Sequence, residues 1–297
     1  MTIATTAPSG NVGRHLVRAL VRAGTRPRVL GHRPESIEPE LRGLVDGRVI
    51  DLADRAGLAR HLDGATALFL TVPAVPAADP VAEYERFGSA VVAALADSTV
   101  ERVVLQSSVG AELRNGAGEI DGLARVEELL DATGCSVLHL RAGFFFTNLL
   151  LQLEDLRAGE ITTVLPRDHA MAWVAPVDIA HVAAGWLLRT DWSGRHVRAV
   201  HGPRDLTWPE AMRIVTEVTG HEVTVRVVDD ETMRAALASA GMTDRQVEAL
   251  VGMSTGLRDG FTPEQPRDPG TTTPTTLAAW AVDELRPLLA AAYRPAS

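Results

Sequence analysis

The chain has 297 residues, of which 46% are hydrophobic and 23% charged, a composition typical of a globular protein with room for one large α/β domain and a smaller lobe. Its net charge of −9 argues against nucleic-acid binding, because neutralising phosphates requires clustered basic residues. All 29 basic residues are arginine, which excludes Schiff-base lysines, a phosphate-loop lysine and a Tyr-x-x-x-Lys dehydrogenase site.

No segment is suited to a bilayer. The longest apolar stretches, residues 89–96 and 144–151, fall well short of the ~20 residues that a membrane-spanning helix needs. The start of the chain lacks the basic-then-apolar pattern of a signal peptide. We therefore expect a cytoplasmic protein without a membrane partner. The histidines are scattered without the spacing of metal ligands, so no metal site is expected.

The first half of the chain alternates between short apolar segments typical of strands and longer segments with helical periodicity. The predicted strands are residues 2–6, 26–30, 48–50, 67–71, 102–106 and 136–141. The predicted helices are residues 10–24, 55–62, 81–96 and 123–133. This alternation predicts an α/β fold with a Rossmann-type, doubly wound parallel sheet, whose ligands bind at the carboxyl ends of the strands.

Beyond about residue 144 the alternation loosens. Helices are predicted at residues 176–188, 208–219, 230–240, 243–252 and 276–291, and strands at 197–201 and 224–228. We predict a Rossmann domain over residues 1–150 and a smaller α+β lobe over residues 151–297, with some lobe segments returning to the sheet. The Pro- and Thr-rich segment 262–276 is predicted to be a surface loop in which Thr273 or Thr275 caps the last helix.

The first chemical feature is the glycine-bearing turn between the first strand and the first helix. Gly10 would let the backbone approach a pyrophosphate, and Gly13 would let the helix pack on the strand. The helix N-terminus would supply amide donors and a favourable dipole. The expected cofactor contacts in this turn are Ala7, Ser9, Gly10, Asn11, Val12 and Gly13. The alternative is an ordinary turn that contains two convenient glycines.

The end of the second predicted strand distinguishes NAD from NADP. A carboxylate there would accept a hydrogen bond from the ribose 2′-hydroxyl of NAD, but no acid occurs before Glu35. Arg33 stands there instead, and its guanidinium can pair with a 2′-phosphate. We therefore predict NADP as the cofactor. The alternative for Arg33 is a solvated loop arginine.

Two further strand ends supply candidate cofactor contacts by their position alone. Asp51 and Leu52 follow the third predicted strand and could frame the adenine. Thr71, Val72 and Pro73 follow the fourth predicted strand and could line the path to the nicotinamide, because ligands of open parallel sheets lie at these strand ends.

Five sequence features recur in a fixed order along nearly the whole chain. They are residues 3–14, the pair Ser107-Ser108, residues 140–148, the run from Trp173-Val174 to residues 177–180, and residues 273–276. Together they resemble the NmrA-like family of atypical short-chain dehydrogenases/reductases. The resemblance implies an NADP-binding Rossmann fold with a small C-terminal lobe that closes over a cleft. The family contains quinone and azo reductases, isoflavone-type reductases and redox-sensing regulators.

The sequence departs from the family pattern at three positions. Ala7 stands where the family usually has its first glycine; its methyl can be accommodated if the backbone angle stays negative, but it could weaken cofactor binding. Ala142 stands where the family usually has proline. Leu123 stands where enzymes of the family often carry a catalytic Lys or His, so the usual proton donor is missing.

Several residues remain as candidates for the chemistry. Ser107 or Ser108 could hydrogen-bond the nicotinamide or a substrate carbonyl, or could simply cap a turn. His169, in a loop, is a candidate proton source or a solvent-facing histidine. Phe144 and Asn148 could wall the nicotinamide and orient a substrate, although the aromatic run could belong to the core. Tyr84 is a further candidate to reach the site.

These residues predict an NADPH-dependent reductase that passes a hydride to a small conjugated molecule, aromatic or quinone-like. Such acceptors need little general-acid help, because the charge formed on reduction is delocalised and water can protonate it. Two alternatives stay open: a non-catalytic NADP-sensing regulator, which Leu123 favours, and a cofactor-bound enzyme of non-reductive coupling or isomerisation. Pairing into a homodimer is possible.

Overall fold

The computed structural model describes residues 2–31, 33, 37–73 and 77–291. The strands are β1 Ile3–Thr6, β2 Arg28–Gly31, β3 Asp46–Val49, β4 Ala67–Leu70, β5 Arg102–Ser108, β6 Ser136–Ala142, β7 Phe144–Phe145, β8 Glu160–Thr163, β9 Met171–Val174, β10 Arg195–Val200, β11 Asp205–Leu206 and β12 Thr224–Val227. The helices are α1 Gly13–Arg22, α2 Arg55–Leu62, α3 Pro80–Leu95, α4 Ile120–Asp131, α5 Leu153–Ala158, α6 Pro176–Leu188, α7 Trp208–Thr219, α8 Asp230–Ser239, α9 Asp244–Arg258, α10 Leu277–Trp280 and α11 Arg286–Ala291.

Seven strands form one parallel sheet in the order β10-β6-β5-β4-β1-β2-β3. The register sets Thr5 of β1 opposite Val29 and Phe69, and Ser107 of β5 opposite Arg141 of β6. The order reverses at β1, where an open parallel sheet places its ligand crevice. The predicted fold class, a Rossmann-type doubly wound sheet, is confirmed. Strand β10 comes from beyond residue 150 and forms one edge of this sheet.

Alternating side chains of the strands divide the core into two layers. Leu68 and Leu70 of β4 pack with residues of α2, α3 and α4 on one face of the sheet. Phe69 of β4 and Leu140 of β6 pack with residues of α1 and α6 on the other face. Both faces are therefore buried, as a parallel sheet requires, because its strands present apolar side chains on both sides.

The C-terminal part builds a smaller unit around a separate aromatic core. It contains a three-stranded sheet, β11-β9-β7, and the parallel pair β12-β8. Phe146, Trp173, Trp208 and Trp280 lie in this core. The strands β7, β8, β9 and β11 and the helix α5 were not predicted, because two to six residues are too few to show a hydrophobic period. Among the described residues, no helix has both the length and the apolar character needed to cross a membrane.

The last predicted helix is divided into three parts, with a π-helical turn over Ala281–Leu285 between α10 and α11. The cap prediction was wrong: Thr276 caps α10 by accepting a hydrogen bond from the Ala279 amide at 3.1 Å. Thr273 instead donates to the His201 carbonyl, and Thr275 donates to Asp178 at 2.8 Å. Tertiary partners, which local sequence does not show, occupy both hydroxyls.

Helix α9 lies against the carboxyl edge of the main sheet. At its start, Thr243 and Gln246 donate to the carbonyls of Ala78 and Ala77, in the segment that follows β4. Farther along, Gly118 approaches so closely that a Cβ there would lie 2.2 Å from the Ala249 carbonyl oxygen. The helix therefore packs against the segments that lead from β4 into α3 and from β5 into α4. It runs six residues beyond the predicted end at residue 252.

Candidate functional site

The turn after β1 places several backbone amides at the first turn of α1. The Gly10 amide donates to the Ala7 carbonyl at 3.0 Å, which closes the turn. Within the described residues, the amides of Asn11, Val12 and Gly13 donate to no acceptor, as expected at the start of a helix. The Ser9 and Asn11 side chains are exposed, and Val12 is buried against the sheet. This cradle of amides at a helix N-terminus fits the pyrophosphate of a dinucleotide.

Two small residues make the turn possible. A Cβ on Gly13 would lie 2.0 Å from the Ala7 carbonyl oxygen and 3.1 Å from Pro8 Cα, so only glycine lets α1 sit against the turn. A Cβ on Gly10 would lie 3.2 Å from the same oxygen. Ala7 itself has φ +47°, in the left-handed region. The condition for accommodating the Ala7 methyl without strain, a negative backbone angle, is therefore not met, because the turn requires the conformation that the family's usual glycine adopts freely.

A cleft of about 200 Å³ opens beside this turn. Its lining residues are Pro8, Ser9, Arg14, Val17, Ile37, Glu38 and Leu41. Arg33 lies beyond the carboxyl end of β2 and is exposed. Glu35, the first acid after the second predicted strand, lies outside the described residues. The described part of this end of β2 therefore presents an exposed cation, and its Gly31 lies against Pro8 of the turn after β1.

The remaining strand ends contribute residues of different kinds. After β3, Asp51 is exposed and accepts from the Ala53 amide at 2.8 Å, while Leu52 is buried.

The end of β4 is joined to the strands on both sides of it. Thr6, at the end of β1, donates its hydroxyl to the Thr71 carbonyl at 3.0 Å. Thr71 donates in turn toward Gln106 of β5. Val72 is buried and Pro73 half-buried. The ends of β1, β4 and β5 are thus joined.

Ser107 belongs to a buried network of charged groups. Its hydroxyl donates to Glu127 Oε1 at 2.7 Å, and Arg141 donates to both oxygens of the same carboxylate at 3.0 and 2.7 Å. Arg114 adds a third donor at 2.9 Å. Burial disfavours the Glu127 anion, but the hydrogen bonds from Arg141 and Ser107 and the nearby charges of Arg141 and His139 together outweigh burial and hold the pKa of Glu127 below its usual value. Arg141 also pairs with Glu264, beyond α9.

Sequence reasoning missed Glu127 and Arg141, although a signal was present. Glu127 has no exposed side-chain surface and stands between Val126 and Leu130, which are also buried. Arg141 interrupts the apolar run of β6. A charge on a face that must be buried requires an opposite charge nearby, so each residue predicts the existence of a partner. The sequence does not say which partner it is.

Three other candidate residues, Ser108, Phe144 and Asn148, lie at the end of β5 and in the segment that follows β6. Ser108 is half-buried and donates to the Val109 carbonyl at 2.9 Å. Phe144 packs edge-on against Trp173 and Trp208, with ring centroids 4.7 and 5.6 Å apart. Asn148 is half-buried in the 3₁₀ turn that follows. Because β6 is followed at once by β7, Phe144 lies close along the chain to the carboxyl edge that carries Ser108.

His169 lies in the connection between β8 and β9, near Arg258 at the end of α9. Burial, with the nearby positive charge of Arg258, lowers the pKa of His169. Among the described contacts, none joins His169 to Ser107 or Ser108. The described residues also contain no group of three or more His, Cys, Asp or Glu side chains that could hold a metal ion.

Leu123 lies on α4 and packs against the apolar core beneath α2 and α3. One helical turn before it, Glu119 accepts a hydrogen bond from the Tyr84 hydroxyl at 3.2 Å. Tyr84 belongs to α3 and is buried, and burial together with the Glu119 charge raises the pKa of its phenol. The structure thus places Tyr84 beside the position that Leu123 occupies.

Comparison with known proteins agrees with this geometry. A family model described as NAD(P)H-binding matches residues 8–145. The (4-alkanoyl-5-oxo-2,5-dihydrofuran-3-yl)methyl phosphate reductase of Streptomyces griseus is 30% identical over 238 residues, covering 79% of this chain and 80% of the relative. The NAD(P)H azoreductase of Xenophilus azovorans is 23% identical over 244 residues, or 82% of each protein.

Solved structures show the same fold. The NADPH-dependent quinone oxidoreductase of Escherichia coli, in complex with NADPH, superposes with a TM-score of 0.75 at 21% identity, over 95% of this chain and 99% of the other. The chain belongs to the NmrA-like family of atypical short-chain dehydrogenases/reductases, so the resemblance seen in the sequence is confirmed. It is accordingly an NAD(P)H-dependent reductase, and its relatives named as reductases act on small molecules.

Proposed function

We propose that the protein uses NADPH to reduce a quinone-like or conjugated carbonyl compound without a Tyr-x-x-x-Lys pair. The observation that carries the proposal is the turn after β1, where backbone amides lie at the start of α1 and the exposed Arg33 follows the neighbouring strand β2. The amides suit a pyrophosphate and the guanidinium suits a 2′-phosphate. Two relatives named as reductases support the reductive chemistry.

The bound cofactor would supply a hydride, and the chain would hold both reactants. Ser9 through Gly13 would bind the pyrophosphate, and Asp51 with Leu52 would border the adenosine. Pro73, Ser108, Phe144 and Asn148 would border the nicotinamide and the acceptor. Ser107 would act indirectly, because its hydroxyl is committed to Glu127. In a site with these residues the acceptor is oriented by apolar walls and few polar groups, as small-molecule pockets usually are.

The cofactor preference is tested by Arg33→Asp, with Arg22→Asp at the far end of α1 as the control for an equal change in charge. Loss of one charged hydrogen bond is worth about 1.5–3 kcal/mol, or about ten- to a hundredfold in affinity. We expect Arg33→Asp to weaken NADPH by at least that factor and NADH much less, measured by titrating nicotinamide fluorescence. Equal losses for the two cofactors would show that Arg33 does not recognise the phosphate.

The reaction is tested by stopped-flow absorbance of NADPH with a panel of quinones, enones and azo dyes. We expect turnover of at least one quinone, because its reduced form delocalises charge and needs no strong acid in the site. Tight NADPH binding without oxidation by any acceptor on the panel would contradict the proposal.

A non-catalytic NADP sensor is the second candidate, and Leu123 is the observation that favours it. Helix α9 connects the carboxyl edge of the sheet to the lobe, so cofactor occupancy could alter a surface for a protein partner. Capture of a partner that depends on NADPH, together with absent turnover, would favour the sensor over the reductase.

A further inference from the structure

Two residues at the start of α4, one of them the residue that precedes the helix, have the spacing of a catalytic pair but not its chemistry. Glu119, the residue that precedes α4, and Leu123 are four positions apart, as are the Tyr and Lys of a Tyr-x-x-x-Lys dehydrogenase site. Glu119 already has helical backbone angles, φ −62° and ψ −24°. Residues four apart on a helix lie on the same face, so Glu119 and Leu123 share the face on which such a pair would stand.

A phenol nevertheless reaches this position from another helix. Tyr84 of α3 donates its hydroxyl to Glu119 Oε1 at 3.2 Å. Its side chain crosses α4 at Gly122, where a Cβ would lie 2.7 Å from the Cβ and two ring atoms of Tyr84. Tyr84 is 8% exposed, while Glu119 is half-buried and is the more accessible member of the pair. The tertiary fold thus brings a phenol and a carboxyl together one helical turn before Leu123.

We propose that Glu119 is the proton donor of this reductase and that Tyr84 is the residue that positions it. The inference rests on the proposed function, and it concerns conjugated carbonyl acceptors, which need a proton as well as a hydride. A C–H bond forms at the acceptor carbon with the two electrons of the hydride from NADPH. The Glu119 O–H bond breaks as its proton passes to the acceptor oxygen or α-carbon. Water then reprotonates the carboxylate.

The electrostatics of the pair agree with this role. Burial raises the pKa of Glu119, and the hydrogen bond from Tyr84 partly opposes that rise. A carboxyl with a raised pKa keeps its proton to higher pH, which a general acid requires. Two charged side chains near the start of α4 are held by other partners. Asp121 accepts from the amides of Gly116 and Ala117, and Arg245 of α9 lies 3.7 Å from Asp79.

The test compares Glu119→Gln and Tyr84→Phe with Glu128→Gln, an exposed carboxylate on the same helix. The glutamine at 119 can still accept from Tyr84, so the fold should persist, and unchanged thermal unfolding confirms it. General acid catalysis is typically worth about 10²–10⁴-fold. We expect Glu119→Gln to lower kcat for an enone by a factor in that range, and kcat for a quinone by less than about tenfold. Glu128→Gln should change neither rate.

A second measurement does not depend on turnover. In the cofactor-free protein, the carboxyl band of Glu119, identified by its loss in Glu119→Gln, is followed by infrared difference spectroscopy across pH. Tyr84→Phe removes a hydrogen bond that lowers the pKa, so the transition should move to higher pH. The falling limb of the enone rate should move with it, since activity requires the protonated carboxyl.

The outcomes separate this inference from the proposed function. If the parent reduces quinones and Glu119→Gln leaves the ratio of enone to quinone rates unchanged, Glu119 is not the proton donor. The proposed reductase function is unaffected by that result. If Tyr84→Phe leaves the carboxyl transition where it was, Tyr84 does not position Glu119. If the parent reduces no acceptor while binding NADPH, the proposed function fails, and the proton donor fails with it.

Discussion

The turn over residues 7–13 and the wall of polar side chains that surrounds α4 lie at the same edge of the sheet but are built differently. The turn is made within residues 7–13, by backbone groups and by the absence of side chains at Gly10 and Gly13. The wall is made by side chains that are far apart in sequence: Ser107 and Glu127 are 20 residues apart, Tyr84 and Glu119 35, and Arg141 and Glu264 123.

This difference determines what each region tolerates. In the turn, a single methyl group meets backbone atoms that cannot move independently of the sheet. In the wall, each buried charge depends on a partner contributed by another element, so removing one residue leaves another uncompensated. In the turn, the stability of the protein should therefore depend on side-chain size. In the wall, it should depend on side-chain charge.

The largest effect is expected at Glu127. In Glu127→Ala the Arg141 guanidinium, whose side chain is 3% exposed, loses its bidentate partner and remains buried. Removing one partner of a buried ion pair typically costs about 3–5 kcal/mol. Chemical denaturation should show a loss of that size. Glu128→Ala, on the same helix but in an exposed pair with Arg125, should cost less than about 1 kcal/mol. Equal losses of stability in the two variants would mean that burial does not increase the cost of removing the charge at residue 127.

The next effect is expected at Gly13. Alanine in a helix is ordinarily more stable than glycine by about 1 kcal/mol, and Gly185→Ala in α6, which has open space around it, should show this gain. Gly13→Ala should instead lose about 1–3 kcal/mol, because its Cβ meets the Ala7 carbonyl oxygen. NADPH affinity should fall as well. A gain in stability equal to that of Gly185→Ala would show that the turn is not sterically closed.

The smallest effect is expected at Ala7. Its φ of +47° costs an L-residue about 1–2 kcal/mol, and glycine avoids this cost while losing some chain entropy on folding. Ala7→Gly should therefore stabilise the protein by about 0.5–1 kcal/mol. Ala235→Gly, at an exposed position inside α8, should destabilise it by about 1 kcal/mol. Thermal unfolding of the two variants should shift in opposite directions, and shifts of the same sign would contradict the strain at Ala7.

Local sequence patterns predicted most of the Rossmann part. The strands β1 to β6 and the helices α1 to α4 lie within a few residues of their predicted positions, because the helices between the strands show an apolar period and so delimit the short strands. Helix α2, Arg55–Leu62, agrees at both ends, since Asp54 caps it. The prediction was incomplete between β6 and α6, where β7, α5, β8 and β9 are too short to show a period.

The sequence by itself determined the parallel α/β architecture, the glycine turn and the positions that lack a lysine or histidine, because these depend on periodicity, residue size and composition. Only the tertiary structure decided that Ser107 turns toward Glu127, that Arg141 provides the countercharge, and that Tyr84 reaches Glu119. The physical reason is that a buried polar group requires a partner but does not specify where along the chain that partner lies. The packing of α3 and α4 on the sheet made that choice.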